Sequence, residues 1–151
     1  MVNGGVPRGS QRVVTNLVVR GGGDAIAFYE RALGAETLRR FDGPGGVVYH
    51  SELRLGDTVV MVSDEWPDLG LRAPDGSRTC SVMVWGPDCD AAFARAVAAG
   101  ATEVSKPQDT FSGDRIGAVV CPFGHRWVFA TKVEEISDEE MRRRIASFSG
   151  G

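Results

Sequence analysis

A short pattern occurs twice in this chain, and the repeat restricts the available folds more than any other feature. Ala32-Leu33-Gly34-Ala35 returns 66 residues later as Ala98-Ala99-Gly100-Ala101, and each copy closes an alanine-rich helical pattern. Each copy also follows an apolar run and a turn, and each precedes shorter, strand-like segments. Because self-similarity at a fixed offset marks an internal repeat, the sequence predicts two copies of one structural module.

The first copy shows the order of elements within the module. Val13 to Val19 is rich in β-branched residues and predicts a strand, which Gly21-Gly22-Gly23 ends. A helix follows, with Asp24 as its predicted N-cap and Gly34 as a left-handed residue after its last turn. Three further strands are predicted at 36–41, 47–55 and 58–62. The module is therefore βαβββ.

The second copy repeats this order. Cys80 to Trp85 predicts a strand, Asp88 or Asp90 caps the following helix, and that helix ends at Gly100. Strands are then predicted at 102–106, 116–120 and 126–131. Since one such module is too small to bury its sheet alone, the two must combine into one α+β domain.

The predicted boundaries divide the chain into five segments. They are a flexible lead at 1–12, modules at 13–63 and 79–133, a linker at 64–78, and a C-terminal helix and tail at 134–151. Ser137-Asp138-Glu139-Glu140 resembles a capping box, so the last helix is expected to start there. The run Arg142-Arg143-Arg144 is interpreted as a solvated helix face.

Charge and hydropathy exclude several classes of partner. The 151 residues hold 17 Lys and Arg against 20 Asp and Glu, a net charge of −3, without the basic excess that binding to nucleic acid requires. Purely apolar runs are only a few residues long, so neither a membrane span nor a signal peptide is predicted. The sequence therefore predicts a cytoplasmic protein without nucleic-acid or membrane partners.

Three cysteines, Cys80, Cys89 and Cys121, form no C-x-x-C pair. An odd number without paired spacing argues against both a disulfide framework and a structural zinc site. We expect three free thiols in a reducing compartment.

Several longer motifs resemble one protein superfamily. They are the helix Asp24 to Ala35 and the segments Tyr49 to Asp57, Phe111 to Gly117 and Pro122 to Trp127. They are similar to the vicinal oxygen chelate superfamily, which includes glyoxalase I, extradiol dioxygenases and bleomycin-resistance proteins, and within it to the PhnB-like, or 3-demethylubiquinone-methyltransferase-like, branch. The resemblance spans about Val13 to Arg144. It implies that the two βαβββ modules pair into a curved, half-open barrel with a ligand cavity, usually in a homodimer.

The resemblance also locates where a metal would bind. Metal-dependent members place His, Gln or Glu at four equivalent strand positions, because a divalent ion must chelate vicinal oxygens of the substrate. In this chain those positions fall on Val14, on Ser81 or its neighbour Cys80, on Val128, and on Val60 or Met61. Valines cannot hold a metal, so neither a metal nor another cofactor is predicted. Cys121 replaces the Asp that the family places before Pro-Phe-Gly.

One strand carries the main candidate site residues. In the segment 47–55, Leu53 and Leu55 share one face, and His50, Glu52 and Arg54 share the other by period-2 alternation. If the leucines pack under the helices, the polar set faces the cavity. His50 and Glu52 then either satisfy each other at the wall, bind a ligand, act as a base with its orienting acid, or serve as a noncanonical metal pair.

The other candidates lie in the second module. Asp114 and Arg115 are predicted either to close over a ligand or to form an ion pair that holds their loop. His125 either binds ligand or satisfies backbone groups, and a Cys121–His125 nucleophile–base pair is disfavoured. An aromatic cavity lining is predicted from the candidates Phe41, Tyr49, Trp66, Trp85 and Phe111, with Trp85 and Phe111 preferred for stacking on a ligand.

These observations lead to one preferred hypothesis and two rivals. The preferred one is a metal-independent, homodimeric protein that sequesters a planar or aromatic small molecule. The first rival is a metal-dependent lyase, isomerase or dioxygenase that uses His50, Glu52 and His125, with Asp114 as a further donor. The second is metal-free acid–base catalysis by His50 with Glu52.

Overall fold

The computed structural model of the protein describes residues 2–149 and contains two βαβββ modules followed by a helix. The first module comprises β1 (Asn16–Val19), α1 (Gly22–Leu33), β2 (Glu36–Asp42), β3 (Val48–Leu55) and β4 (Thr58–Asp64). The second comprises β5 (Ser81–Trp85), α2 (Cys89–Ala99), β6 (Thr102–Asp109), β7 (Asp114–Val120) and β8 (Arg126–Lys132), and α3 (Asp138–Ser149) ends the chain. The predicted α+β fold with a duplicated module is confirmed. The first residue of the predicted lead and the last two of the predicted tail lie outside the described residues.

Each module builds its own four-stranded sheet with the same topology. The strand orders are β1-β4-β3-β2 and β5-β8-β7-β6. In each sheet the first strand runs parallel to the last and the other neighbours are antiparallel. Equal topology in both halves is what an internal duplication produces. No strand pair joins the two sheets among the described residues, so β1 and β5 are edge strands.

Strand β1 begins at Asn16, three residues later than the predicted start at Val13. Asn16 is in register with Met61, which places Val59 opposite the position that Val14 would occupy in a longer strand. The side-chain amide of Gln11 takes that place, because its Nε2 donates to the Val59 carbonyl at 2.6 Å and its Oε1 accepts from the Val59 amide at 3.2 Å. The predicted strand start was therefore wrong, and Val14 lies outside the sheet.

The N-terminus of α1 is capped from another strand. The helix begins at Gly22, and Asp64 at the end of β4 accepts hydrogen bonds from the amides of Gly21 at 2.9 Å and Gly22 at 3.0 Å. The other carboxylate oxygen of Asp64 accepts from the Val48 amide at 2.8 Å. Asp24 lies inside the first turn, so its assignment as the N-cap was wrong.

The other helix termini follow their local sequence. Gly34 has a φ of 67° after α1, as predicted. Asp88 caps α2 by accepting from the Ala91 amide at 2.9 Å, which decides between the two aspartates. Ser137 accepts from the Glu140 amide at 3.1 Å at the start of α3.

The modules share one hydrophobic core, and Tyr29 of α1 crosses between them. Its ring lies 5.3 Å from that of Trp127 on β8, and its hydroxyl lies 3.4 Å from the thiol of Cys121. Burial, followed by the nearby thiol, raises the pKa of this hydroxyl above its ordinary value. Helix α2 meets α1 directly, where Arg95 donates to the Arg31 carbonyl at 2.9 Å. The modules thus join through helices and core side chains.

The cysteines are free, as expected: Cys80 is exposed, and Cys89 and Cys121 are buried. Within the described part of the chain, none of the helices has the length and apolar character that crossing a membrane would need.

Candidate functional site

Side chains of β3 alternate between the core and the opposite face of the first sheet. Ser51 and Leu53 are fully buried. The side chains of His50, Glu52 and Arg54 are 29%, 15% and 47% exposed. The predicted alternation is therefore present, and the polar set lies on the face that α1 does not cover.

A pocket of about 230 Å³ opens on this face, and we call it the His50 pocket. The residues that line it are Asn16, Tyr49, His50, Met61, Ser63, Trp66, Leu69 and Leu71. Its floor comes from three neighbouring strands, and one wall comes from the segment after β4. That segment folds back through a pair of backbone hydrogen bonds between Trp66 and Leu71, of 2.8 and 3.1 Å.

A bulge in β3 places an aromatic side chain at the mouth of this pocket. Phe41 is in register with His50 and Asp42 with Val48, so Tyr49 has no partner on β2. The Tyr49 ring packs edge-on against Trp66 at 5.5 Å. Bulges commonly redirect a side chain next to a functional site. Tyr49 and Trp66 are therefore the predicted aromatic residues that reach this pocket.

His50 is held in place from two sides. Its Nε2 lies 3.2 Å from Oε1 of Glu52, and its ring stacks on Phe41 at 6.3 Å. Oε2 of Glu52 lies 3.1 Å from Nε of Arg39, so Glu52 bridges the histidine and an arginine. Such a bridge fixes the orientation of the imidazole through its Nε2.

The donor set of this site does not fit a divalent metal ion. No group of three or more His, Cys, Asp or Glu side chains able to hold a metal occurs among residues 2–149. On β1, Asn16 lies in register with Met61, and its amide Nδ2 donates to Ser63 Oγ at 3.3 Å. His50 and Glu52 have an aromatic ring and an arginine as further neighbours, not additional anionic ligands.

Asp114 and Arg115 bind other protein groups and not each other. Asp114 accepts from Ser112 at 2.7 Å and from Lys132 at 3.0 Å. Burial acts to raise the pKa of Asp114, but these two hydrogen bonds and the Lys132 charge outweigh it and lower the pKa. The Arg115 fork binds Asp90 with two hydrogen bonds of 2.6 and 2.9 Å and Asp109 at 3.0 Å, and these bonds raise its pKa. The Asp114–Arg115 ion pair, one of the two predicted alternatives, is therefore not formed, and closure over a ligand stays a prediction. Both residues lie at the start of β7 and not in a loop, so that placement was wrong.

Three further predicted residues lie away from the His50 pocket. Arg54 pairs with Glu36 at 3.5 Å. Trp85 lines a separate groove beside β5, and the carbonyl of Phe111 accepts from Arg144 on α3 at 2.9 Å. Within a single chain, neither Trp85 nor Phe111 lines the His50 pocket. Their role in stacking on a ligand stays a prediction.

His125 joins the two modules. Its Nε2 donates to the Val18 carbonyl on β1 at 2.8 Å, which is the backbone-satisfying role that the sequence allowed. Cys121 points its thiol at Tyr29, so the disfavoured Cys121–His125 nucleophile–base pair is not formed.

Sequence reasoning missed half of the pocket lining. Asn16, Ser63, Leu69 and Leu71 carry no motif, and only strand register and the folded-back segment bring them to His50. Met61 was named only as an alternative to Val60 at a metal-ligand position. Period-2 alternation within β4 could have placed Met61 and Ser63 on one face, but not next to β1.

Comparison with known proteins gives consistent results. A family model described as the Glyoxalase/Bleomycin resistance protein/Dioxygenase superfamily matches residues 12–129. The uncharacterized protein Rv0887c of Mycobacterium tuberculosis is 36% identical over 141 residues, which cover 90% of this chain and 83% of that protein.

Two solved structures show the same fold. The crystal structure of TioX from Micromonospora sp. ML1 matches with a TM-score of 0.65 and 31% identity, covering 82% of this chain and 99% of that one. A PhnB protein from Bacillus cereus, described as a putative 3-demethylubiquinone-9 3-methyltransferase, matches with a TM-score of 0.63 and 16% identity, covering 80% and 99%. At that lower identity the second match concerns the fold alone.

Proposed function

Because the chain belongs to the glyoxalase/bleomycin resistance protein/dioxygenase superfamily, we propose that it binds and sequesters a planar or aromatic small molecule without a metal. The observation that carries this proposal is the His50 pocket, in which an aromatic wall faces an oriented histidine. The further neighbours of His50 and Glu52 are Phe41 and Arg39, neither of which is a metal ligand, and this donor set supports binding without metal chemistry.

The two sides of the pocket suit different parts of one ligand. Tyr49, Trp66 and Met61 offer apolar and aromatic surface, against which a flat ring packs favourably. Asn16 and His50 offer hydrogen-bonding groups that would fix its orientation. Drug-sized ligands occupy pockets of about 300 to 1,000 Å³. The smaller volume here favours a ligand, or part of one, with one or two rings.

We expect Trp66→Ala to weaken binding of an aromatic ligand at least about tenfold, because truncating a tryptophan that anchors a ligand typically costs over about 2 kcal/mol. Isothermal titration calorimetry against a panel of aromatic natural products would measure the dissociation constants. Ile145→Ala, on an exposed residue of α3 outside the pocket, is the control and should leave them unchanged. A panel without binders, or equal affinities for the wild type and Trp66→Ala, would contradict the proposal.

A second candidate function rests on the bridge from Arg39 through Glu52 to His50. A histidine oriented by a carboxylate can act as a general base, as in an epimerisation or elimination. In the same panel, turnover of a bound compound that His50→Gln abolishes, with affinity kept within a few fold, would favour this function. Binding without any product favours sequestration.

We also propose that the protein is a homodimer. Exposed edge strands readily pair with other chains, and β1 and β5 are both edges in a single chain. On β5, Met83 and Trp85 are 45% and 55% exposed on the face turned away from the core. A second copy seated there would cover both side chains.

Sedimentation velocity should therefore give twice the mass of one chain for the wild type and the mass of one chain for Met83→Asp, because burying the new carboxylate at the interface is unfavourable. Val104→Asp, the same change at an exposed apolar residue of β6, should remain dimeric. A monomeric wild type would overturn the homodimer.

A further inference from the structure

A second cavity adjoins the His50 pocket, and we call it the basic pocket. It has a volume of about 260 Å³ and lies between β1, the segment 72–80 and His125. Asn16 lines both cavities, so the two cavities meet at this residue of β1. A ligand bound in the His50 pocket therefore has a neighbouring space for a substituent.

Two arginines with largely unused donors line the basic pocket. Among residues 2–149 Arg72 makes no hydrogen bond or salt bridge. Its charge adds to the hydrogen bonds from Ala73 and Arg20 that lower the pKa of nearby Glu65. Arg78 makes one long hydrogen bond, to the Gly124 carbonyl at 3.4 Å. Each guanidinium carries five N–H donors in a planar fork that fits a carboxylate or phosphate.

The acidic groups nearby are already engaged. The Asp75 carboxylate accepts from the Ser77 hydroxyl at 2.8 Å and from its amide at 3.2 Å, and these bonds lower the pKa of Asp75. Glu65 is held by Arg20 at 3.0 Å and by the Ala73 amide at 3.0 Å. The charged residues that line the pocket are therefore two arginines and one aspartate, and the aspartate is already hydrogen-bonded to Ser77. His125 lines the pocket as well.

We propose that the ligand carries an acidic group, a carboxylate or a phosphate, which Arg72 and Arg78 hold in the basic pocket while the aromatic part occupies the His50 pocket. This inference rests on the proposed function. Charge-assisted hydrogen bonds to paired guanidinium groups are among the stronger polar contacts in proteins. They would select acidic aromatic compounds over their neutral analogues.

Cys80 provides a direct reporter, because it is the exposed thiol and it lines the basic pocket. Its alkylation by iodoacetate, an anion, can be compared with alkylation by neutral iodoacetamide. In each reaction the Cys80 thiolate attacks the CH2 carbon of the reagent, a C–S bond forms, and iodide leaves that carbon. Both reactions use the same thiolate, so the ratio of the two rates cancels the ionised fraction of Cys80. The ratio therefore reports how strongly the pocket attracts an anion.

We expect the iodoacetate-to-iodoacetamide rate ratio at low salt to fall at least threefold in the double variant Arg72→Gln/Arg78→Gln. The control Arg12→Gln/Arg142→Gln removes the same charge at exposed arginines outside both cavities and should keep the wild-type ratio. Mass spectrometry locates the label, and Cys80→Ser should abolish it. An equal ratio in the wild type and the Arg72/Arg78 variant would overturn the proposal.

Naphthalene compounds that carry either an acidic or a neutral group test whether the acidic group and the aromatic ring belong to one ligand. In calorimetry, 2-naphthoate or 2-naphthyl phosphate should bind at least tenfold more tightly than 2-naphthamide, and the Arg72→Gln/Arg78→Gln variant should lose only this difference. Whichever of the two acids has the lower dissociation constant identifies the acidic group of the ligand as a carboxylate or a phosphate. Naphthamide binding without any preference for the acids would overturn the inference and leave the proposed function intact. Failure of all three probes, with the alkylation ratio still responding to the arginines, would count against the aromatic site and not against the basic pocket.

Discussion

Gly113→Ala is expected to lower the free energy of unfolding by more than about 3 kcal/mol, since steric overlap adds to backbone strain. A Cβ at this position would overlap with the carbonyl oxygen of Glu134, and the residue has a φ of +81°. The Gly113 carbonyl also accepts from the amides of Val133 at 2.9 Å and Glu134 at 3.0 Å. The opposing backbone therefore cannot retreat without breaking these bonds.

The variant Gly70→Ala separates the cost of backbone strain from the cost of steric overlap. Gly70 has a φ of +76°, but a Cβ there would meet no atom within 4 Å. Its variant should lose only about 1 kcal/mol, the cost of a left-handed conformation for an L-residue. Urea unfolding of both variants, followed by far-ultraviolet circular dichroism, measures the difference. Equal losses would mean that the Gly113 turn relaxes freely around a methyl group.

Asp64→Ala is expected to cost roughly 2 to 4 kcal/mol of unfolding free energy, since hydrogen bonds to charged groups contribute about 1.5 to 3 kcal/mol each and water replaces part of the loss. The variant leaves the amides of Gly21, Gly22 and Val48 without their carboxylate. These amides lie at the start of α1 and at the start of β3. The damage therefore reaches both the helix and the strand that carries His50.

The control for this prediction is Asp57→Ala. Asp57 is exposed, and within the part of the chain that the structure describes it accepts a hydrogen bond only from the adjacent Thr58 hydroxyl, at 3.0 Å. Surface changes of this kind usually stay within about 0.5 kcal/mol. Denaturant midpoints that coincide for the two variants would show that α1 does not depend on a carboxylate from β4.

Local sequence patterns correctly predicted those features, such as helix ends and strand faces, that depend on residues close together in the sequence. Gly34 and Asp88 act at the helix ends where they were expected, because both make contacts within a few residues. His50 and Glu52 lie on the predicted face, since period-2 alternation is a property of one strand. For the same reason the apolar face of β3, with Leu53, was correctly placed in the core.

Predictions failed where a residue distant in sequence binds a backbone or side-chain group that we had assigned to a nearby residue. Asp24 is the nearest acid to the start of α1, yet Asp64 caps it from 42 positions away because strand pairing brings β4 alongside β1. Gln11 likewise replaces the predicted first residues of β1 by binding Val59. Arg115 forms an ion pair with Asp90 on α2 and not with its neighbour Asp114.

Periodicity and short motifs were sufficient to predict the repeat, the α+β class, the superfamily and the face on which His50 and Glu52 lie. The residues that surround His50, and the meeting of the basic pocket with the His50 pocket at Asn16, became visible in the folded chain alone. Both cavities join segments far apart in the chain, and their proximity depends on strand register and on the path of the segment after β4. Side-chain packing between such segments has no period along the sequence, so it cannot be read from local pattern.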